Sequence, residues 1–98
     1  MTRAQVLARL REHQTELTDR GIVRLWVFGS TARGDQQVDS DIDLLAGFDE
    51  KRRISLLDVA GLELSLAELL GHPVDLVEEG TLKPRVLKTV EAEALRVF

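Results

Sequence analysis

Apolar positions along the chain change their period several times, and each change marks an element. Val6, Leu7, Leu10 and Leu17 recur at helical spacing, which lines one face of a helix. Thr2 with Gln5 three residues later reads as a capping box, and Gly21 is a natural stop, so a helix is predicted over residues 3–19. Ile22 to Phe28 is rich in β-branched and aromatic residues and ends at Gly29, the pattern of a first strand. Ser30 to Arg33 suits a short helical turn, and Gly34 to Ser40 is polar loop. Asp41 to Phe48 reads as a second strand despite its acids, because Ile42, Leu44 and Leu45 supply the apolar content and Gly47 weakens its end. Ser55 followed by Asp58 opens another helix, which Leu56, Leu57, Ala60, Leu64, Ala67 and Leu69 continue and Gly71 and Pro73 close. Apolar residues fall almost all round that helix, which predicts burial on more than one side. Pro73 to Val77 is a third strand, Thr81 with Pro84 opens a last helix to about Ala92, and Leu95 to Phe98 suits a small terminal strand. Strands alternating with helices predict an α/β (α+β) domain with a mixed β-sheet flanked by helices.

Composition narrows the function. With 98 residues, no internal repeat and no linker, residues 1–98 read as one domain. Thirteen basic residues against 17 acidic ones leave a net charge of −4, so a cationic nucleic-acid footprint is absent and no direct nucleic-acid partner is expected. The absence of cysteine excludes disulfide scaffolds, thiolate zinc sites and thiol nucleophiles, and two histidines are too few for a His-rich metal site. No apolar run reaches membrane-spanning length and no signal peptide is evident, so the expectation is a cytoplasmic protein with no membrane partner.

The residues able to do chemistry cluster between 28 and 45. A strand running into Gly29-Ser30 lets a ligand approach the backbone, and the turn after it would aim unpaired N–H groups at an anion such as phosphate, although Gly-Ser alone is a weak signal. Asp41 and Asp43 lie two apart on a predicted strand, so both carboxylates share a face and each raises the other's pKa. A divalent cation relieves that repulsion, and oxygen-only ligands favour Mg²⁺ or Mn²⁺ over zinc. An isolated pair of this kind is more simply read as two hydrated acids on an exposed sheet face. Asp75 is the third acid, out of character inside Pro73-Val74-Asp75-Leu76-Val77. It joins Asp41 and Asp43 if the third strand neighbours the second; otherwise it is a solvated edge residue. Three carboxylates beside a phosphate-binding turn suit phosphoryl or nucleotidyl transfer. A calcium loop starting at Asp39 is excluded by Leu44 at its sixth position, where that loop needs glycine.

Gly29-Ser30, ten intervening residues and Asp41-Ile42-Asp43 together resemble the signature of the DNA polymerase β-like nucleotidyltransferase superfamily. The extended strings Ala32-Arg33-Gly34-Asp35 and Ser40-Asp41-Ile42-Asp43-Leu44-Leu45 are similar to its minimal nucleotidyltransferase branch, as are Asp75 and Leu82-Lys83-Pro84-Arg85. The resemblance implies a small nucleotidyltransferase palm. It implies that Gly29 and Ser30 hold nucleotide phosphates, that Asp41 and Asp43 ligate Mg²⁺, and that Asp75 serves as ligand or as base for the incoming hydroxyl. It further implies an antitoxin that silences a HEPN-type ribonuclease toxin by moving AMP from ATP to a tyrosine on it, in a possible oligomer with that partner. Two alternatives stand beside this: an antitoxin that acts by binding alone, and a small-molecule nucleotidyltransferase.

Charge bookkeeping is consistent with that implication. ATP and three aspartates carry roughly seven negative charges and two Mg²⁺ return about four, which leaves the helical turn and nearby cations to offset the rest. Arg33 is the best-placed cation for nucleotide binding, unless it pairs with Asp35 or Asp39. His13 reads as a solvated residue on a polar helix face, His72 as a complement to a helix C-terminus, and Trp26 and Phe28 as core. Lys51-Arg52-Arg53 reads as a solvated loop, or as a contact to an acidic partner or the nucleotide.

Overall fold

The computed structural model describes residues 1–34 and 41–98. Its elements are α1 (Arg3–Glu12), α2 (Gln14–Asp19), β1 (Ile22–Phe28), α3 (Gly29–Arg33), β2 (Ile42–Phe48), α4 (Leu56–Leu70), β3 (Val74–Glu78), a 3-10 turn (Glu79–Thr81), α5 (Pro84–Glu93) and β4 (Leu95–Arg96). The sheet order is β3-β2-β1-β4. β1 runs antiparallel to β2 and β4, whereas β2 and β3 are parallel. A parallel pair needs a crossover, and α4 supplies it.

Period-two alternation sorts the strand residues onto two faces. Leu25, Val27, Ile42, Leu44, Ala46 and Leu76 face one side, where Val6 and Leu10 of α1, Leu17 of α2 and Leu62, Leu66 and Leu70 of α4 complete the core. Trp26, Asp43, Leu45 and Asp75 face the other side. There Trp26 packs beneath the Arg96 guanidinium, 4.9 Å from the ring centre, and Arg24 pairs with Glu79 across Gly47. α5 lies against β1 with Glu91 within electrostatic reach of Arg24.

Both capping boxes form. Gln5 N donates to Thr2 Oγ1 at 3.1 Å and Thr2 N to Gln5 Oε1 at 2.8 Å. Asp58 N donates to Ser55 Oγ at 3.1 Å and Ser55 N to Asp58 Oδ2 at 2.9 Å, and these bonds hold the Asp58 carboxyl below its ordinary pKa. Gly21 and Gly71 take the left-handed φ that stops their helices.

Two expectations are corrected. The helix predicted over 3–19 is broken at His13. Its ring Nδ1 lies 3.0 Å from the Arg9 carbonyl, the acceptor its own amide would use in a continuous helix, and that amide turns to Leu10 O at 3.1 Å. His13 is partly exposed, as expected of a residue on a polar face, and its ring also bonds the Arg9 carbonyl. The second correction concerns α4. It buries Leu62, Leu66 and Leu70 on one side only, while Leu56, Leu57 and Leu64 stay 88%, 84% and 69% exposed. Smaller shifts occur at β3, which runs one residue later than expected, and at α5, where Pro84 starts the helix and Thr81 belongs to the preceding turn. Among the described residues no helix is long and apolar enough to cross a membrane.

The one-sided burial of α4 gives a direct test by urea unfolding of dilute protein. Leu66→Ala opens a cavity and is expected to cost about 2–5 kcal/mol. Leu57→Ala, with its side chain in water, is expected to stay within about 0.5 kcal/mol of the wild type.

Candidate active site

The end of β1 and the turn after it form the first wall of the site. Phe28 is the N-cap of α3 in extended conformation, and no side chain caps the amides that follow. Gly29 enters the turn at φ +69°, a conformation open to glycine at little cost. Ser30 is half-buried, and the turn closes at Gly34, whose N–H bonds Thr31 O at 3.1 Å. The group that comes close to Gly29 is the Asp43 carboxylate: a Cβ at position 29 would lie 2.3 Å from Asp43 Oδ2. The close neighbour of Gly29 is therefore a side chain of the site itself.

Strand pairing builds the second wall. Asp43 sits opposite Phe28 across the β1–β2 ladder and opposite Asp75 across the β2–β3 ladder. Asp75 is thus both an exposed residue of an edge strand and the direct neighbour of Asp43. Asp41, exposed just before β2, stands two residues earlier on the side of Asp43. Burial pushes the Asp43 carboxyl above its ordinary pKa; the charges of Asp75 and Asp41 push the same way, and Arg33 opposes them. Asp35 and Asp39, the acids expected to compete for Arg33, lie outside the described residues.

Among the described residues no three carboxylates or imidazoles stand as a ready-made metal cage. That arrangement still suits Mg²⁺, which usually takes one or two carboxylates and completes its shell with water and substrate phosphate. The crowded like charges at Asp43 are the feature a cation would relieve.

Two contributors escaped the sequence. Arg3 Nη1 donates to Ala32 O at 2.9 Å, which ties α1 to the end of the α3 turn. Thr31 is fully buried beside Ser30, and its Oγ1 has no hydrogen-bond partner. Arg3 shows no local signal, since its bond joins segments far apart in the chain. Lys51, Arg52 and Arg53 are exposed beyond the far end of β2, about 17 Å of strand away from Asp43. That position removes the nucleotide as their contact.

The profile of the nucleotidyltransferase domain family matches residues 10–97, a span containing Gly29, Ser30, Asp41, Asp43 and Asp75. The chain belongs to this family. The protein adenylyltransferase MntA of Thermococcus cleftensis is 41% identical to it over 98 residues, covering 99% of this chain and 97% of that protein. A presumed protein adenylyltransferase of Methanocaldococcus jannaschii is 38% identical over 82 residues, 84% of this chain and 86% of that protein. A solved structure described as a presumed minimal nucleotidyltransferase superposes with a TM-score of 0.81 at 47% identity, covering 97% of this chain and 95% of that one. The nucleotidyltransferase also shares its fold, at a TM-score of 0.74 and 22% identity, with a toxin–antitoxin crystal structure containing AMP-PNP, over 90% of this chain and 72% of that one. Its mixed sheet with flanking helices is therefore the minimal nucleotidyltransferase fold.

The raised pKa of Asp43 carries a stability prediction for the metal-free nucleotidyltransferase. Folding favours the protonated form, so the contribution is present below the ordinary carboxylate value of 3.8 and is lost as pH rises through the folded pKa. Asp43→Asn, which cannot ionise, is expected to melt higher than the wild type at neutral pH in EDTA. That advantage should close as pH falls into the carboxylate range; an equal Tm at neutral pH would contradict the crowding of charge.

Proposed function

We propose that this nucleotidyltransferase is an Mg²⁺-dependent protein adenylyltransferase, an antitoxin that moves AMP from ATP to a tyrosine of a HEPN-type ribonuclease toxin in the cytoplasm. The observation that carries the reading is the register that sets Asp43 beside Asp75 against the uncapped Gly29–Ser30 turn. The relatives add support, one being a protein adenylyltransferase and another a toxin–antitoxin complex holding a nucleotide analogue.

In this reading the Gly29 backbone and the Ser30 hydroxyl hold nucleotide phosphates, and Arg33 offsets part of their charge. Asp41 and Asp43 would hold the cation, with water and substrate phosphate completing its shell; Mg²⁺, or Mn²⁺ in its place, would supply charge neutralisation at the phosphates when bound. The tyrosine oxygen attacks the α-phosphorus of ATP, the bond to the bridging oxygen breaks, and pyrophosphate leaves. Asp75, exposed at the edge strand, is the carboxylate open to the hydroxyl and takes its proton. The chain contains no tyrosine, so the acceptor belongs to the partner.

The test incubates the chain and toxin with labelled ATP and Mg²⁺ and follows both by mass spectrometry. AMP is expected on a toxin tyrosine, and none in EDTA. Asp43→Asn should reduce labelling by more than about a hundredfold, because several kcal/mol of charge stabilisation depend on the cation. Ser30→Ala should lose roughly ten- to a hundredfold, the worth of one hydrogen bond to a charged group. A stable complex without label would favour neutralisation by binding, and modification of a small hydroxylated compound without toxin would favour a small-molecule enzyme.

A further inference from the structure

α4 carries a second apolar stripe that the core does not use. Successive helical residues are about 100° apart, so Leu57, Ala60, Gly61 and Leu64 share one side, opposite Leu62, Leu66 and Leu70. Leu57 and Leu64 are 84% and 69% exposed, Ala60 is also exposed, and three of the five large apolar side chains exposed among the described residues belong to this helix. Leaving such a contiguous stripe in water is costly and marks an interaction surface.

We propose that this stripe pairs two copies of the chain, α4 against α4, antiparallel about a two-fold axis between Ala60 and Gly61. The pattern of the helix is complementary to itself under that operation. Leu57 meets Leu64 of the second copy at each end, and the small pair at the centre lets the axes approach closely. The charges match as well. Arg53 in the exposed segment before the N-cap Ser55 falls over the exposed Glu68 of the second copy, while Arg52 is held by its bond to the Asp19 carbonyl. Antiparallel helix dipoles add to the attraction. Arg20 bonds Ser65 Oγ at 2.8 Å and lies beside Gly61, with Nη2 3.6 Å from where a Cβ there would stand, so its guanidinium swings aside as the axes approach; it leaves the leucines uncovered. A foreign partner complementary to the basic end alone would leave the acidic end unmatched, whereas a second copy satisfies both.

This pairing is independent of the nucleotidyl-transfer reading. α4 packs on the core face of the sheet, and Asp43 and Asp75 project from the other face, so both candidate sites of the pair stay open to solvent. One helix pair buries less than the roughly 800 Å² per partner of a standard interface, so the pair is expected to dissociate on dilution.

Sedimentation velocity across a concentration series tests this, supported by thiol cross-linking, which the absence of cysteine makes site-specific. The mass should rise toward twice 11.0 kDa with concentration. Leu57→Glu should weaken association at least about tenfold with unchanged circular dichroism. Glu68→Arg should weaken it too, and adding Arg53→Glu to the same chain should restore it. Ala60→Cys should form a disulfide-linked dimer with diamide, while Thr15→Cys on α2 should not. A monomer at every concentration, or a dimer indifferent to Leu57→Glu, would overturn the proposal. So would an Ala60→Cys thiol that stays uncross-linked in the chain alone and becomes protected only when the toxin is added, which would assign the stripe to that partner.

Discussion

Everything at the candidate active site depends on two aspartates being held side by side where they repel each other. Asp43 and Asp75 are register partners on parallel strands, and like charges placed so weaken a sheet. The opposite face outweighs this repulsion. Ile42, Leu44 and Ala46 of β2 and Leu76 of β3 are buried against α1, α2 and α4, and a slip of one residue would turn that whole set toward water. The apolar side of the sheet thus enforces the crowding of charge on its polar side. Stability and chemistry are divided between two faces of the same strands.

The turn after β1 belongs to the same arrangement. Its uncapped amides and the nearby Arg33 provide positive potential next to the carboxylates, so the site is prepared for both a cation and an anion. Arg3 anchors the far end of the turn from another helix. The crossover helix α4 works from behind the sheet: its buried leucines pack against β2 and β3, the parallel pair on which Asp43 and Asp75 are partners.

Much of this was readable from local pattern. Capping residues, strand composition and the spacing of Asp41 and Asp43 are short-range signals, and the elements follow them within a residue or two. The position of Asp75 was readable only conditionally, because strand order arises from contacts more than thirty residues apart. The break at His13, where a ring nitrogen stands near the carbonyl its own amide would use in a continuous helix, leaves no mark in the local pattern. α4 was misjudged for a different reason. Leucine content reports that a surface avoids water, and carries no information on whether the chain's own core or another molecule covers it. Arg3 acts through a contact to which local periodicity is blind.

The contact between Gly29 and Asp43 also constrains the order in which such a site can change over generations. While Asp43 is present, even a methyl group at position 29 meets its carboxylate, so the glycine is locked by its neighbour as well as by its own φ of +69°. Replacing Asp43 by a smaller residue removes the first lock and leaves the second, which asparagine or aspartate tolerate best. The two positions are therefore epistatic with a direction. A lineage abandoning catalysis has an accessible route through the aspartate first and the glycine later, and the reverse route must displace the Asp43 carboxylate and strain the backbone at once.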